Sequence, residues 1–422
     1  MSRKILTSTI TLTIALLVLL TVNLTTLNSP PTLQNSNSDS HTIPTIEISL
    51  TGTKLPEILK GTKHIIYPEN NLAITTNIQN NNYEHVEFKG RGNTTWREPK
   101  KSFSIKFLSK TTLLNLGKMK KWNLLANYLD DSYIRNALAF YIQEITNVQF
   151  YPKGDFIELY IDNDYQGLYF LTNAITISKN SVDLRNQFGI LVELDNAFYQ
   201  EGDIVVIADN SDHLVMKDAV EPGNINIATD NFLAKYNTLI EAARTQDFAT
   251  ASQSIDIESF ATHFLYETFI SNPDAFYTSC FLYQDGPDDK IHVGPGWDFD
   301  RSFHNPNTNS LSTHDEKRAD NIFILLSKIP EFQNLVQRIY LEKLSPNRDN
   351  ILAYAQNLYA YIYPTAIRDA EKWSLHKWAP NYPQIPDPPI DVDDKLNTDF
   401  DNLIDWLTNR FDYFDTKYAS YK

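Results

Sequence analysis

IHVGPGWDFDRSF, residues 291–303, is the stretch on which the fold and chemistry of this 422-residue chain turn. Ile291 and Val293 mark a short strand that Gly294, Pro295 and Gly296 interrupt. Asp298 and Asp300 follow, with Trp297 and Phe299 alternating around them. In extended chain, residues two apart share a face, so the acids project together and the aromatics pack behind. Adjacent carboxylates repel unless a proton or a cation lies between them. Mg²⁺ suits them, because it takes oxygen ligands and keeps water or phosphate in its other positions. An isolated Asp-x-Asp reads equally as a solvated acidic turn, and the residues upstream decide between the two.

Upstream, Ile257, Phe260, Ala261, Phe264, Leu265 and Phe269 recur at helical spacing. Asn272-Pro273 ends that helix, since the residue before proline is pushed out of the helical region. Asp274 then sits in the loop, and two strands joined by a polar turn at 285–289 lead to Trp297. A loop carboxylate, a short hairpin and a second carboxylate, in that order, is how protein kinases place two acids. One orients the attacking hydroxyl and the other holds magnesium. Taken alone, Asp274 reads as a capping or turn residue.

Two N-terminal segments bear on the same reaction. Gly90-Arg91-Gly92-Asn93 lies between strands, where glycines let the backbone approach a phosphate and either Arg91 or the free N–H groups would neutralise it. Lys100, Lys101 and Lys106 flank the next strand, and a lysine beside a glycine loop supplies the point charge that nucleotide phosphates need. An ordinary turn and a solvated strand edge are the plain alternatives.

Around these segments, strands are expected at TIEISL from Thr45, at 84–89 and at 101–107, where Phe103, Ile105 and Phe107 alternate with Ser102, Ser104 and Lys106. A helix is expected from about Ser132, capped by Asp131 or Ser132, with a hairpin of 156–161 and 167–171 and a buried strand at 190–194. Helices follow from about Asp230 and again at 322–344, 350–373 and 394–418. The expected class is α+β with two lobes, β-rich over about 45–230 and helical over about 231–422.

The formal net charge of −15 argues against sequence-independent nucleic-acid binding and fits a basic partner. The single cysteine, Cys280, excludes an intrachain disulfide framework and cysteine-based metal sites. No HExxH spacing occurs, which leaves no signature of a zinc hydrolase. Arg3 and Lys4 precede the uncharged run 5–22, the pattern of an export signal or signal anchor, with the rest of the chain outside. A Thr-, Asn-, Ser- and Pro-rich linker spans 23–44.

KGRGNTTW followed by PKKSFSIKF, then WNLLANYLDDSYIRNALAF, GDFIELYIDNDYQGLYFLTNAI, SNPD and GWDFDRSF together resemble the CotH kinases, atypical protein kinases similar to a spore-coat protein. The resemblance runs from about Val86 to Phe303. It implies a secreted or surface enzyme with a divergent kinase fold that uses ATP and Mg²⁺, or Mn²⁺, to phosphorylate serines of coat or surface proteins. Carried over, Asp274 is the catalytic acid, Asp298 the metal ligand with Asp300 beside it, Lys101 or Lys106 the phosphate contact, and Gly90 to Asn93 the nucleotide loop. Two departures stand out. Asn173 occupies a position where the family tends to have an acid, with Glu144, Glu158 and Glu193 as substitutes, and Ser302-Phe303-His304 follows WDFD where a glycine is common. The rival reading is a catalytically inactive surface, coat or adhesion protein. A glycosidase also uses paired acids but needs no glycine loop or lysine strand.

Overall fold

The computed structural model describes residues 42–76, 80–200, 202–304, 319–378 and 391–419. The apolar run 5–22 and the linker from 23 through 41 lie outside the described residues. Among those described, no helix is long and apolar enough to cross a membrane.

Period-two alternation from Thr45 onward builds a closed barrel. Strands β1 (Thr45–Ser49), β2 (Tyr67–Thr75), β3 (Asn80–Arg91), β4 (Ser102–Thr112), β5 (Lys118–Leu125), β6 (Gly154–Ile161) and β7 (Asp164–Asn173), with helix α1 (Leu55–Lys60) between the first two, join in the order β1-β2-β3-β4-β5-β7-β6. Parallel pairing of β6 with β1 closes the ring. Strand β4 turns Phe103, Ile105 and Phe107 inward, where they meet Ile46, Phe88 and Trp122. Ser102 and Ser104, on its other face, are buried as well, while Lys106, Leu108 and Lys110 further along reach solvent. Asp162 and Asn163, with φ of 50° and 63°, make a two-residue hairpin turn, so β7 begins at Asp164 rather than Gly167.

A second, antiparallel sheet has the order β12-β11-β8-β10-β9. It comprises β8 (Gly189–Leu194), β9 (Val205–Ile207), β10 (His213–Ala219), β11 (Cys280–Asp285) and β12 (His292–Gly296). The sheet takes strands from both sides of residue 230, because α3 (Ile225–Arg244), α4 (Phe248–Ser254) and α5 (Ile257–Phe269) are inserted between β10 and β11. With α2 (Arg135–Ile145), α6 (Ile322–Leu326), α7 (Pro330–Ile339), α8 (Arg348–Trp378) and α9 (Val392–Ala419), it encloses a hydrophobic core separate from the barrel's. The α+β class is therefore observed, with the N-terminal strands closed into a barrel.

One expected cap is corrected. Helix α2 begins at Arg135, since Tyr133 at φ 62° keeps the preceding turn out of the helix. Asp130, not Asp131 or Ser132, accepts from Arg135 N at 2.9 Å.

Helix α8 is fastened to the barrel by a buried ion pair. Lys100 Nζ lies 2.7 Å from Asp369 Oδ1, both side chains almost wholly buried. Asp369 also accepts from Tyr133 OH at 2.8 Å and from Leu168 N at 2.7 Å. Gly167 makes the approach possible: its φ is +120°, and a Cβ there would lie 1.8 Å from Asp369 Oδ1. Asp369→Ala strips a buried lysine of its counter-charge and is expected to cost about 3–5 kcal/mol. The pair Lys100→Met with Asp369→Leu is expected to cost less. Urea unfolding measures both, and an Asp369→Ala variant as stable as the wild type would contradict the assignment.

Candidate active site

Strands β3, β4 and β5 face β8, β10, the start of β11 and the loops at 195–200, 274–279 and 297–301 across a cleft of about 740 Å³. A volume of this order is typical of small-ligand sites. Its two walls carry opposite charge. The barrel contributes Lys63, Lys89, Arg91 and Lys121, while the facing wall contributes Glu193, Asp195, Asp274, Asp298 and Asp300.

On the barrel wall, cations crowd one another. Burial lowers Lys121 to about 8, with further repulsion from Lys89, Arg91, Lys217 and Lys106. Burial also lowers Lys63, and Arg91 and Lys89 push it the same way. Arg91 sits 5.2 Å over the Trp297 ring, lowered by burial while Asp298 and Glu193 oppose. Among the described residues, none of these four side chains is held in a salt bridge.

On the acidic wall, carboxylates crowd one another. Asp298 opens to the solvent of the cleft yet is ringed by protein. That enclosure raises its carboxyl, as does Asp274, while Arg91, Arg301 and a hydrogen bond from Ser279 oppose. Asp300 is raised well above the ordinary range by burial first, then by Asp298, Asp130 and Asp274, with Arg301 opposing. Asp274 is gripped by Arg301 Nη1 at 2.9 and 3.2 Å. On the second sheet, Lys217 occupies a bulge in β10 and pairs with Glu193 at 2.8 Å. Bulges of this kind re-aim side chains beside functional sites.

The acids are presented by a turn, a correction to the extended strand expected from the sequence. Strand β12 runs through Gly296, and Asp298 then adopts φ +70°. Trp297 and Phe299 are nonetheless buried. Helix α2 holds the turn: Asn136 Oδ1 accepts from Phe299 N at 2.9 Å, and Gln143 Oε1 accepts from Gly296 N at 2.8 Å. Behind them, Arg135 is buried between Asp130 and Asp399, 3.0 Å from the latter.

The cleft brings together Gly90, Arg91, Gly92, Asn93, Asp274, Asp298 and Asp300. Lys101 and Lys106 lie elsewhere. Lys101 Nζ donates to Trp96 O at 2.5 Å, and Lys106 is exposed and paired with Glu87 at 3.0 Å. Lys100 lines the cleft but is bound to Asp369. The lysines that sequence reasoning missed are Lys89 and Lys121. Their signal was the same alternation that was applied to β4: in KWNLL, Trp122 and Leu124 face the core, which sends Lys121 and Asn123 to the cleft. Gly90 owes its identity to packing, since a Cβ there would lie 2.4 Å from the Trp96 ring. Of the three acids considered as substitutes for Asn173, only Glu193 lines the cleft. Glu158 pairs with Arg368, and Asn173 itself accepts from Lys153 N at 2.6 Å.

The family model for the CotH kinase protein matches residues 86–414, more than three quarters of the chain. The chain belongs to the CotH kinase family. No curated protein matches it. In this CotH kinase chain, among the described residues, no three His, Cys, Asp or Glu side chains converge to hold a metal alone. Asp298 and Asp300 still suit an ion that takes only one or two carboxylates and completes its shell with phosphate and water.

Beneath Asp274 lies a buried relay of polar groups. Glu267 Oε2 accepts from Asn272 Nδ2 at 2.8 Å, and Asn272 Oδ1 accepts from Asp274 N at 3.1 Å. Burial first, then the charge of Asp274, pushes Glu267 up to about 8, while Asn272 opposes. His263, 3.8 Å away, is lowered to about 3 by burial. The folded protein therefore holds a proton on Glu267 that the unfolded chain releases above about 4.5. The contribution of Glu267 to stability therefore falls as pH rises from that value towards about 8 and levels off beyond. The stability of Glu267→Gln relative to the wild type is expected to rise across this window in pH-resolved urea unfolding. A difference independent of pH would contradict the buried, protonated carboxyl.

Proposed function

We propose that this member of the CotH kinase family is an ATP-dependent protein serine kinase whose barrel and helical halves are the two lobes of a divergent kinase fold. The separation of charge across the cleft carries the reading. Four cations that form no salt bridge among the described residues face a cluster of acids that Arg301 and Lys217 neutralise only in part. A polyphosphate bearing a divalent cation satisfies both walls at once.

Lys89, Arg91 and Lys121, with the loop Gly90–Asn93, would take the phosphates, and Asp298 and Asp300 would hold Mg²⁺ or Mn²⁺. When bound, the metal nucleotide supplies the transferable phosphoryl group and charge neutralisation around it. Asp274 orients the acceptor hydroxyl and takes up its proton. Arg301 fixes that carboxylate until the acceptor enters, and Asn272 holds its backbone. Positioning does most of the work. The same proposal puts the domain outside the cytoplasm, on coat or surface proteins; Arg3 and Lys4 ahead of the apolar run 5–22 support export or anchoring.

Transfer of labelled phosphate from ATP to serine-containing basic peptides tests the roles. Asp298→Ala is expected to lower kcat/KM by about 10²–10³-fold. Asp274→Asn is expected to lower kcat by about 10²–10⁴-fold with little change in the KM for ATP. Lys121→Met is expected to raise the KM for ATP, whereas Lys101→Met leaves it unchanged. Wild-type rates in Asp298→Ala would overturn the assignment. No transfer by the wild type would support the inactive coat or adhesion role instead.

A further inference from the structure

Exposed apolar side chains gather at one lip of the cleft. Phe198 is 43% exposed, Tyr199 45%, Tyr277 36% and Ile207 60%. Direct contacts link them. Tyr199 stacks on His213 with ring centroids 5.0 Å apart, and His213 pairs across the sheet with Ile207. Asn196 ties this surface to the loop of Asp274: its N–H donates to Tyr277 O at 3.0 Å, and its Oδ1 accepts from His213 N at 2.7 Å. Tyr277 N in turn donates to Asp274 O at 3.2 Å. Phe198 and Asp203 also line the cleft, so lip and cleft are continuous.

Clustered apolar side chains at a surface mark a place that another molecule covers. Here they accompany a strand edge. Strand β9 pairs with β10 and with no other strand among the described residues, so among them one side of its backbone is open to an added strand. Asp203 and Asp209 are exposed at either end of β9, in a chain of net charge −15. An open edge, aromatic neighbours and flanking acids together fit extended chain carrying apolar and basic side chains.

We infer that this lip is the docking site of the protein substrate: an extended segment with basic and apolar residues around the acceptor serine. The segment lies along β9 and over Tyr199 and Tyr277, and its hydroxyl enters the cleft at Asp274. The inference rests on the kinase reading of the cleft and supplies its substrate class.

Two measurements on the full chain separate the two claims. Fluorescence anisotropy follows a labelled basic, apolar serine peptide and its charge-reversed counterpart, while the melting temperature with and without ATP and Mg²⁺ reports on the cleft. Tyr199→Ala with Ile207→Ser is expected to bind the basic peptide about tenfold more weakly, an effect of the size lost with an interface anchor, and to keep the nucleotide shift. Asp209→Lys, which leaves the apolar surface intact, is expected to weaken the basic peptide alone. Unchanged peptide affinity in both variants, or equal binding of the charge-reversed peptide, would overturn the docking site. Peptide binding that follows these expectations without any nucleotide shift in the wild type would uphold the docking site and overturn the kinase reading.

Discussion

Like charges held close together on each side of one cleft are the constraint around which this protein is arranged. Lys121 is depressed by burial and by neighbouring cations, and Asp300 is raised by burial and by neighbouring acids. Each wall alone is destabilising, because desolvated like charges repel. A fold retains such an arrangement when a ligand of matching polarity relieves it, and perturbed groups of this kind concentrate at functional sites. The barrel supplies the cationic wall through β3 and β5, and the second sheet with its loops supplies the acidic one.

Keeping the walls in register falls to a few buried polar contacts. Helix α2 holds the acidic turn through Asn136 and Gln143, and it is itself fixed by Asp130 and by Arg135 against α9. Lys100 and Asp369 fasten α8 to the barrel at the cleft. These buried contacts are ionic or hydrogen-bonded, and breaking one would leave its partner unpaired away from water. Asp298 in a left-handed conformation needs that support, since strained backbone persists only where its surroundings fix it.

Much of this was legible in the sequence, and the failures have identifiable causes. Asp274, Asp298 and Asp300 were readable because a helix stop, a hairpin and an acid pair follow one another locally. The barrel was not, because its closure depends on β1 pairing in parallel with β6 across more than a hundred residues, and no local pattern encodes that contact. Lys101 and Lys106 were chosen for lying next to the glycine loop along the chain. The cleft instead takes Lys89, which directly precedes Gly90, and Lys121, brought there by the pairing of β3, β4 and β5, and leaves Lys106 to Glu87. Asp298 reached the cleft as expected but through a turn, since Asn136 captures the following N–H and interrupts the strand.

The central claim is that both walls are answered by one ligand, phosphates on the barrel side and a cation on the acidic side. Calorimetric titration of the full chain with ATP, in Mg²⁺ and again in EDTA, tests it most directly. Binding is expected to be at least about tenfold tighter with Mg²⁺, with the same factor recovered when Mg²⁺ is titrated with and without ATP, as linkage requires. ATP binding of equal strength in EDTA, or none in either condition, would contradict it.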